Sequence, residues 1–310
     1  MGRLVSTKDM PHEEWLRYRR QGIGGSDAGA ICGVNPYSTA LKVFRDKTEN
    51  EPEDNDSESL RQGRDLEDYV ARRFMEASGK KVRRSNFLYR HDMYPFMQAN
   101  IDRFVVGENA GLECKTASAY SADKWKDGVI PEHYVIQCMH YMAVTGADSW
   151  YIAVVLLGKE FKWQKIDRDE EMIRDLIKIE EDFWYRHVLP KVMPEPDGSK
   201  EYDELLNRYF HVARKAATIP LVGFDSKLAR RQEILELSEK LETEKAKIDQ
   251  ELKLFLADTE AAENEKYRVF WTNTTTNRLD SRLLKTEQPE IYDRYSKTTS
   301  GRRFSVRAIA

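Results

Sequence analysis

Hydrophobic residues recur with two different periods along the first 190 or so residues of the chain. Apolar positions three and four residues apart predict helices, whereas alternating apolar and polar positions predict strands. The helical pattern covers residues 9–20, 26–31, 39–48, 60–78, 132–145 and 169–187. The strand pattern covers residues 81–90, 98–106, 110–117 and 149–157. A helix between the last two strands, with further helices before and after, predicts an α/β (α+β) fold with a mixed central sheet flanked by helices.

The C-terminal third has a different pattern. Pro190, Pro194 and Pro196 mark a boundary, so we predict a core of residues 1–198 and an extension of residues 199–310. We expect the extension to contain helices over residues 203–218 and 226–265, followed by a small domain of residues 267–310 with strands at 267–271 and 302–307.

The predicted long helix has a partial heptad stripe of apolar residues, namely Ile234, Leu237, Leu241, Ile248, Leu252 and Phe255. This stripe indicates either a helix packed along its own domain, which we favour, or an intermolecular coiled coil. Residues 225–266 have 12 acidic and 8 basic residues, a net charge of −4, whereas residues 267–310 have 9 basic and 4 acidic, a net charge of +5. Arginines interleaved with aromatics in the basic segment are typical either of a nucleic-acid contact or of a small sheet with an exposed basic face.

Composition adds few constraints to this picture. The chain has 310 residues, of which 33% are charged and 40% hydrophobic, so we expect a soluble globular protein. It has neither an apolar run of the roughly 20 residues that span a bilayer nor the apolar core of a signal peptide. The three cysteines form no CxxC pair, which argues against a disulfide framework or a structural zinc site and fits a reducing cytoplasm. A net charge of −3 does not exclude a nucleic-acid partner, because positive charge can be concentrated in one groove.

Three charged residues carry the candidate chemistry. Side chains alternate along a strand, so Glu113 and Lys115 share one face while Cys114 faces the core. The glycine-containing segment of residues 107–111 predicts a hairpin turn that brings Asp102 beside them. Two carboxylates next to a lysine suit a hard metal ion and an activated water. At such a site we expect the pKa of Lys115 to be lowered.

Polar residues elsewhere extend this candidate site. Gln137 shares a helix face with His133, His140 and Tyr141, which indicates either a site or a solvated edge. Glu67 lies on the predicted helix of residues 60–78.

An anion site is predicted near the N-terminus. Arg19, Arg20 and the glycine-rich turn of residues 22–27 precede a short helix that Ser26 is predicted to cap. Backbone N–H groups at a helix start, together with arginine, can hold a phosphate. A purely structural glycine turn is the alternative.

Taken together, these segments resemble YqaJ-type phage recombinases, which are relatives of lambda exonuclease in the PD-(D/E)xK superfamily. The resemblance covers roughly residues 10–190. It rests, in chain order, on Gly22-Ile23-Gly24-Gly25-Ser26-Asp27, Asn35-Pro36-Tyr37, Gly63-Arg64-Asp65-Leu66-Glu67, Asp102, Glu113-Cys114-Lys115 and Gln137. Where the superfamily pattern has Pro-Asp, this chain has Ile101-Asp102.

The resemblance implies a PD-(D/E)xK restriction-endonuclease-like core and a Mg²⁺-dependent 5′→3′ exonuclease, with Mn²⁺ as an alternative ion. Such an enzyme would act on the ends of double-stranded DNA and leave 3′ single-stranded tails for recombination by strand annealing. The implied partners are DNA, a phage single-strand annealing protein and further copies of the chain in a ring-shaped homotrimer. The implied location is the cytoplasm of a bacterial host.

The resemblance also assigns roles to individual residues. It assigns metal binding to Asp102, Glu113 and the carbonyl group of Cys114, and Glu67 would hold a second metal ion or a bound water. Lys115 would position the attacking water, and Gln137 would support Lys115 or the scissile phosphate. Arg20 and Ser26 would bind the 5′-terminal phosphate, with Arg19 as the alternative to Arg20.

Other functions remain compatible with these residues. The same core would suit a structure-specific or nicking DNA endonuclease. A DNA-binding recombination scaffold with a vestigial site is a second alternative, although intact Asp102, Glu113 and Lys115 argue against it. In a third interpretation, residues 225–310 are a module that binds a partner protein.

Overall fold

The computed structural model describes residues 2–49, 57–213, 218–297 and 302–306. The chain divides into two compact units, residues 1–202 and residues 203–310. Most of the acidic loop predicted at residues 49–58 lies outside the described residues. In the part of the chain that is described, no helix is long and apolar enough to cross a bilayer.

The described helices of the first unit are α1 (His12–Arg19), α2 (Gly25–Ile31), α3 (Ala40–Thr48), α4 (Glu58–Ser78), α5 (Glu132–Thr145) and α6 (Glu170–Phe183). Their ends follow local chemistry. The Thr39 side chain caps α3 by accepting a hydrogen bond from the backbone N–H of Lys42 (3.2 Å). Gly79 ends α4 in the left-handed conformation, with φ of 70°.

The cap predicted for α2 was wrong. The helix starts at Gly25, and Gly24 is its N-cap residue, so Ser26 lies inside the first turn. The carboxylate of Asp27 accepts a hydrogen bond from the backbone N–H of Gly24 (3.0 Å). Asp27, the third residue of the helix, therefore folds back to the N-cap residue, which is the reciprocal contact of a capping box and not the N-cap role predicted for Ser26.

The described strands of the first unit are β1 (Gly2–Ser6), β2 (Val82–Arg84), β3 (Phe87–Arg90), β4 (Gln98–Asn100), β5 (Arg103–Val105), β6 (Ala110–Ala117), β7 (Ser149–Leu156) and β8 (Glu160–Asp167). A central sheet has the order β2-β5-β6-β7-β8. Its β6 and β7 are parallel, and its other neighbours are antiparallel. A smaller antiparallel sheet has the order β1-β3-β4. The mixed central sheet flanked by helices is confirmed.

Two predicted strands are each divided between the two sheets. The segment predicted at residues 81–90 forms β2 and β3, and the segment at 98–106 forms β4 and β5. The second segment is interrupted at Ile101 and Asp102. Asn100 pairs with β3 in the small sheet, and Arg103 pairs with Leu112 in the central sheet. Asp102 therefore lies at the crossing between the sheets, just outside a strand.

Helices α4 and α5 pack on opposite sides of β6. Val70, Ala71 and Phe74 of α4 belong to one buried cluster with Leu112 and residues of β5 and β7. Burial of one large apolar side chain contributes about 1.5–3 kcal/mol. Because side chains alternate along β6, Leu112 and Cys114 face this cluster, and Glu113 faces α5, where Gln137 contacts it.

The second unit was predicted less well. Its described elements are α8 (Asp225–Leu256), β9 (Ala261–Glu263), β10 (Arg268–Phe270), α9 (Ser281–Glu287) and α10 (Pro289–Tyr295), and α7 (Lys200–Tyr209) crosses the division between the units. The predicted helix of residues 203–218 ends at Tyr209 instead. No strand is present over the described residues 302–306.

The predicted long helix also ends early. Helix α8 stops at Leu256, not at residue 265, because residues 261–263 pair with β10 in a hairpin. The side chain of Asn264 forms the hairpin turn by accepting hydrogen bonds from the N–H groups of Lys266 (2.9 Å) and Tyr267 (2.8 Å). All six stripe residues of α8 are exposed, between 39% for Leu252 and 78% for Phe255. The favoured interpretation, a helix packed along its own domain, is therefore wrong for the described residues.

Candidate active site

The β5–β6 hairpin brings the predicted residues together. The backbone N–H of Cys114 donates a hydrogen bond to Oδ2 of Asp102 (2.9 Å). On the α5 side of β6, the ammonium group of Lys115 lies 2.7 Å from Oε1 of Glu113. Gln137 Nε2 donates a hydrogen bond to the same oxygen (2.7 Å). Asp102, Glu113 and Lys115 thus lie together, as the strand alternation and the hairpin predicted, and Gln137 joins them from α5 through Glu113.

Glu67 reaches this group from α4, but it is held by a residue that was not predicted. The guanidinium group of Arg103 forms ion pairs with both Glu67 and Asp68. Arg103 is 4% exposed, so this arginine is buried at the base of the site. Its position directly after Asp102 was the only sequence signal that could have drawn attention to it.

The site has a strongly negative electrostatic environment. Burial raises the pKa of Asp102 well above its usual value, and the neighbouring carboxylates of Glu113 and Glu67 raise it further. Burial also raises the pKa of Glu113, although Lys115 acts in the opposite direction. The negative charges of Glu67 and Glu113 therefore repel that of Asp102, whose carboxylate is shielded from water.

The prediction for the pKa of Lys115 was wrong. Burial acts to lower this pKa, but the nearby charge of Glu113, together with Tyr134 and Asp102, outweighs burial. The pKa of Lys115 is therefore raised above its usual value, because protonated lysine is the form that pairs with Glu113 at 2.7 Å. Lys115 also lies over the ring of Tyr134, 4.8 Å from its centroid, a contact that favours a cation.

The donor chemistry fits a divalent metal ion. Oε2 of Glu113 is buried and has no hydrogen-bond partner among the described residues. A buried, unpaired carboxylate oxygen is costly, and a hard cation would satisfy it. A cation would also relieve the repulsion that raises the pKa of Asp102.

The candidate metal-binding carboxylates do not converge on one point in this structure. No three Asp, Glu, His or Cys side chains in the described parts of the chain are close enough to form a ready metal site. Both carboxylates beside Asp102 are already paired, Glu67 with Arg103 and Glu113 with Lys115.

Close packing of α2 against α5 fixes the position of Gln137. A Cβ atom on Gly25 would lie 2.6 Å from a ring carbon of Tyr141 and 3.1 Å from Cγ of Gln137. Only glycine lets the helices approach this closely. Gln137 Nε2 also donates a hydrogen bond to the hydroxyl group of Tyr141 (2.9 Å), so its amide is oriented between Tyr141 and Glu113.

The predicted anion site contains an additional acidic residue. Arg19 donates hydrogen bonds to Ser26 Oγ (3.4 Å) and to Asp27 Oδ1 (2.8 Å). The buried ammonium group of Lys47 lies 2.9 Å from the other oxygen of Asp27. Burial acts to raise the pKa of Asp27, but the charges of Lys47 and Arg19 outweigh it, and the pKa is far below its usual value. Asp27 and Lys47 were not predicted as part of the site.

One cleft joins the two groups. Its volume is about 710 Å³. Its polar lining includes Arg19, Ser26, Asp27, Lys42, Arg45, Arg64, Glu67, Asp102 and Gln137. Arg20 is not among the lining residues, and its Nε is buried without a hydrogen-bond partner among the described residues. Of the two alternatives for the phosphate site, the structure therefore places Arg19 in the cleft.

Two histidines on α5 are not part of this cleft. His140 is completely buried, and its ring nitrogens lie 2.7 Å from Glu180 Oε1 and 2.8 Å from the carbonyl oxygen of Gln98. His133 packs against the rings of Tyr37 and Tyr134. The polar face predicted for α5 is thus divided between the site, a buried pair and an aromatic cluster.

Comparison with known proteins identifies the family. Residues 14–148 match the model of the YqaJ-like viral recombinase domain. The uncharacterized protein YqaJ of Bacillus subtilis is 37% identical over 313 residues, which cover 99% of this chain and 98% of that protein. The chain belongs to the YqaJ-like viral recombinase family.

Solved structures share the fold of this YqaJ-like chain. An alkaline exonuclease from Laribacter hongkongensis matches 65% of the chain and 100% of its own length, with a TM-score of 0.50 and 18% identity. A crystal structure of that exonuclease in complex with dAMP gives the same coverage and TM-score, with 17% identity. The core therefore has the PD-(D/E)xK fold.

Proposed function

We propose that this chain is a divalent-metal-dependent exonuclease that digests the 5′-ended strand at double-stranded DNA ends and leaves 3′ single-stranded tails. One observation carries this proposal: Asp102, which lines the cleft, accepts a hydrogen bond from the backbone between Glu113 and Lys115, and Glu113 has a buried oxygen without a partner among the described residues. Phosphodiester hydrolysis needs an in-line water and a positive charge near the phosphate.

The proposed metal ligands are Asp102, Glu113, Glu67 and the carbonyl group of Cys114. A bound Mg²⁺ or Mn²⁺ ion would supply an activated water and would neutralise charge on the phosphate in the transition state.

The side chains of the chain itself act around that centre. Lys115 is held as a cation by Glu113 and Tyr134, so it can orient the water by donating a hydrogen bond. Gln137 fixes Glu113 and lines the cleft, so it would support the scissile phosphate there. Arg19 and Ser26 bind the terminal 5′-phosphate at the start of α2.

The comparisons support this assignment by analogy. The family is one of viral recombinases, and a protein that shares the fold is an alkaline exonuclease. By the same analogy, the tails produced would serve a phage single-strand annealing protein, and the active assembly would be a homotrimer.

Digestion of linear double-stranded DNA, labelled separately at its 5′ and 3′ ends, tests the proposal in the presence of Mg²⁺. We expect the 5′ label to be released as mononucleotides, while a closed circle stays intact. We expect Lys115→Ala to abolish release without abolishing DNA binding. Lys165→Ala is the matched control, because Lys165 pairs with Asp167 on β8 and should leave cleavage unchanged.

Three results would contradict the proposal. Cleavage of the circle would indicate an endonuclease. Release of the 3′ label first would reverse the polarity. DNA binding without any cleavage, with any of several divalent ions, would indicate a scaffold.

A further inference from the structure

Rings in contact connect Lys115 to the protein surface. The ring of Tyr134, under the ammonium group of Lys115, lies 4.0 Å from the ring of His133, measured between centroids. His133 in turn meets Tyr37 edge-on at 5.9 Å. Burial, Lys115 and Lys124 lower the pKa of His133, so this ring is neutral near neutral pH and adds no charge between the two lysines. The cluster ends at Tyr37, which is 63% exposed.

Tyr37 is held in place although it is exposed. Its backbone N–H donates a hydrogen bond to the side chain of Asn35 (2.9 Å), which fixes the turn between α2 and α3. The ammonium group of Lys124 lies 5.5 Å from the ring centroid and 3.5 Å from the hydroxyl oxygen. His133 meets the ring edge-to-face and Lys124 lies near its hydroxyl group, yet the side chain of Tyr37 stays largely exposed to solvent. A ring held in this way loses little entropy when it binds a ligand.

Tyr37 is not itself a lining residue of the cleft, but it lies beside residues that are. Asn35 and Ser38, on either side of Tyr37 in the chain, both line the cleft. His133 lies one helical turn before Gln137 on α5. Tyr37 is therefore separated from Lys115 by three contacts, through the rings of His133 and Tyr134. Stacked nucleotides of one strand are about 3.4 Å apart, so a strand cut beside Lys115 reaches Tyr37 within a few nucleotides.

We infer that Tyr37 and Lys124 form a stacking site for a nucleobase of a single DNA strand. The inference rests on the proposed function, and it adds a subsite outside the metal and terminal-phosphate groups. An open aromatic face binds any base by stacking, and an adjacent lysine binds the backbone phosphate. The site suits an unpaired strand, because base pairs inside a duplex are stacked on both faces by their neighbours.

Fluorescence of a short single-stranded DNA oligonucleotide that contains 2-aminopurine tests this inference. The full chain is used in EDTA at low salt, so that no strand is cut. The wild-type chain should bind the oligonucleotide and quench its fluorescence. Tyr37→Leu should weaken binding about tenfold and abolish the quenching, whereas Tyr37→Phe should retain both. Thermal unfolding of each variant confirms that it is folded.

Tyr185 provides a matched control. It is 53% exposed and meets Phe96 edge-on at 5.9 Å, so it resembles Tyr37 in exposure and in its ring contact. Its chain neighbours Trp184 and Arg186 do not line the cleft, whereas Asn35 and Ser38, next to Tyr37, do. Tyr185→Leu should bind and quench as the wild-type chain does. Equal binding and quenching by Tyr37→Leu and the wild-type chain would overturn the inference, as would equal losses in Tyr37→Leu and Tyr185→Leu.

The fluorescence assay tests the stacking site separately from DNA cleavage, because no strand is cut in EDTA. Quenching that depends on Tyr37, in a chain that cuts no DNA with Mg²⁺, would support the stacking site and refute the exonuclease. Cleavage of DNA ends without quenching in EDTA would support the exonuclease and refute the stacking site.

Discussion

Arg19 and Arg20 are neighbours in the chain but have different surroundings. Arg19 lines the cleft and contacts Ser26 and Asp27, whereas Arg20 does not line the cleft. Asp27 neutralises part of the charge of Arg19, but it also holds the guanidinium group at the start of α2. The position of Arg19 beside Ser26 therefore favours it as the ligand of a terminal phosphate.

We predict that Arg19→Lys slows digestion of 5′-phosphorylated ends about tenfold more than that of 5′-hydroxyl ends, because a lysine cannot make the same forked contact. Arg20→Lys should affect both ends equally and weakly. Initial rates on the two kinds of end, measured in parallel, distinguish the residues. An end-specific loss in Arg20→Lys alone would show that the phosphate is bound elsewhere.

The sequence predicted those parts of the site that depend only on residues close together in the chain. Strand alternation and one turn were sufficient to place Asp102, Glu113 and Lys115 together. The ion pair between Glu67 and Arg103 joins residues that are 36 positions apart in the chain, so no local sequence pattern predicts it. The raised pKa of Lys115 was missed for a similar reason, since a balance between burial and a 2.7 Å ion pair depends on the folded geometry.

At the level of elements, α5 was predicted correctly at both ends, whereas β1 and β8 were missed. The β8 sequence Glu-Phe-Lys-Trp-Gln-Lys-Ile-Asp starts to alternate and then places Lys165 where an apolar residue is expected. It is an edge strand and is only partly buried, so its pattern is weak. Strand β1 forms through pairing with β3, more than 80 residues away, which local periodicity cannot indicate.

A buried contact between His140 of α5 and Glu180 of α6 joins these two helices. Both His140 and Glu180 are completely buried. Burial alone would lower the pKa of His140, but the charge and hydrogen bond of Glu180 outweigh it and raise this pKa above 6.5. Burial likewise raises the pKa of Glu180. The folded state therefore binds a proton more tightly than the unfolded state does.

We predict that the free energy of unfolding decreases as the pH rises above about 6.5, the usual pKa of histidine. The stabilisation from His140 is fully present below that pH and is lost as the pH rises through the raised pKa. Glu180→Gln should remove part of this dependence, because its amide can donate to the neutral ring at any pH. Glu180→Ala should cost about 3–5 kcal/mol, because it leaves His140 buried without its partner. Urea unfolding at pH 6 and pH 9 measures these differences, and identical slopes for the wild-type chain and Glu180→Gln would contradict the prediction.

At the level of the whole molecule, the two units differ in how much apolar surface they bury. The first unit contains the cleft and every proposed site residue. In the second unit, α8 has 32 residues, and Leu256 is its one buried side chain. Its exposed stripe is what an intermolecular coiled coil would cover, so this alternative remains a prediction.

Truncation after residue 213 tests whether cleavage needs only the first unit and whether α8 mediates association. It keeps α7 and removes α8 and everything beyond it. We predict that residues 1–213 stay folded and digest DNA ends at the initial rate of the full chain, because the elements that position the site are retained. If α8 joins homotrimers to one another through a coiled coil, the molecular mass by light scattering should fall to that of a single homotrimer, while the rate per chain is unchanged. Lys115→Ala in the truncated chain controls for contaminating nuclease. A folded truncated chain that binds DNA but no longer cuts it would show instead that the second unit contributes directly to cleavage.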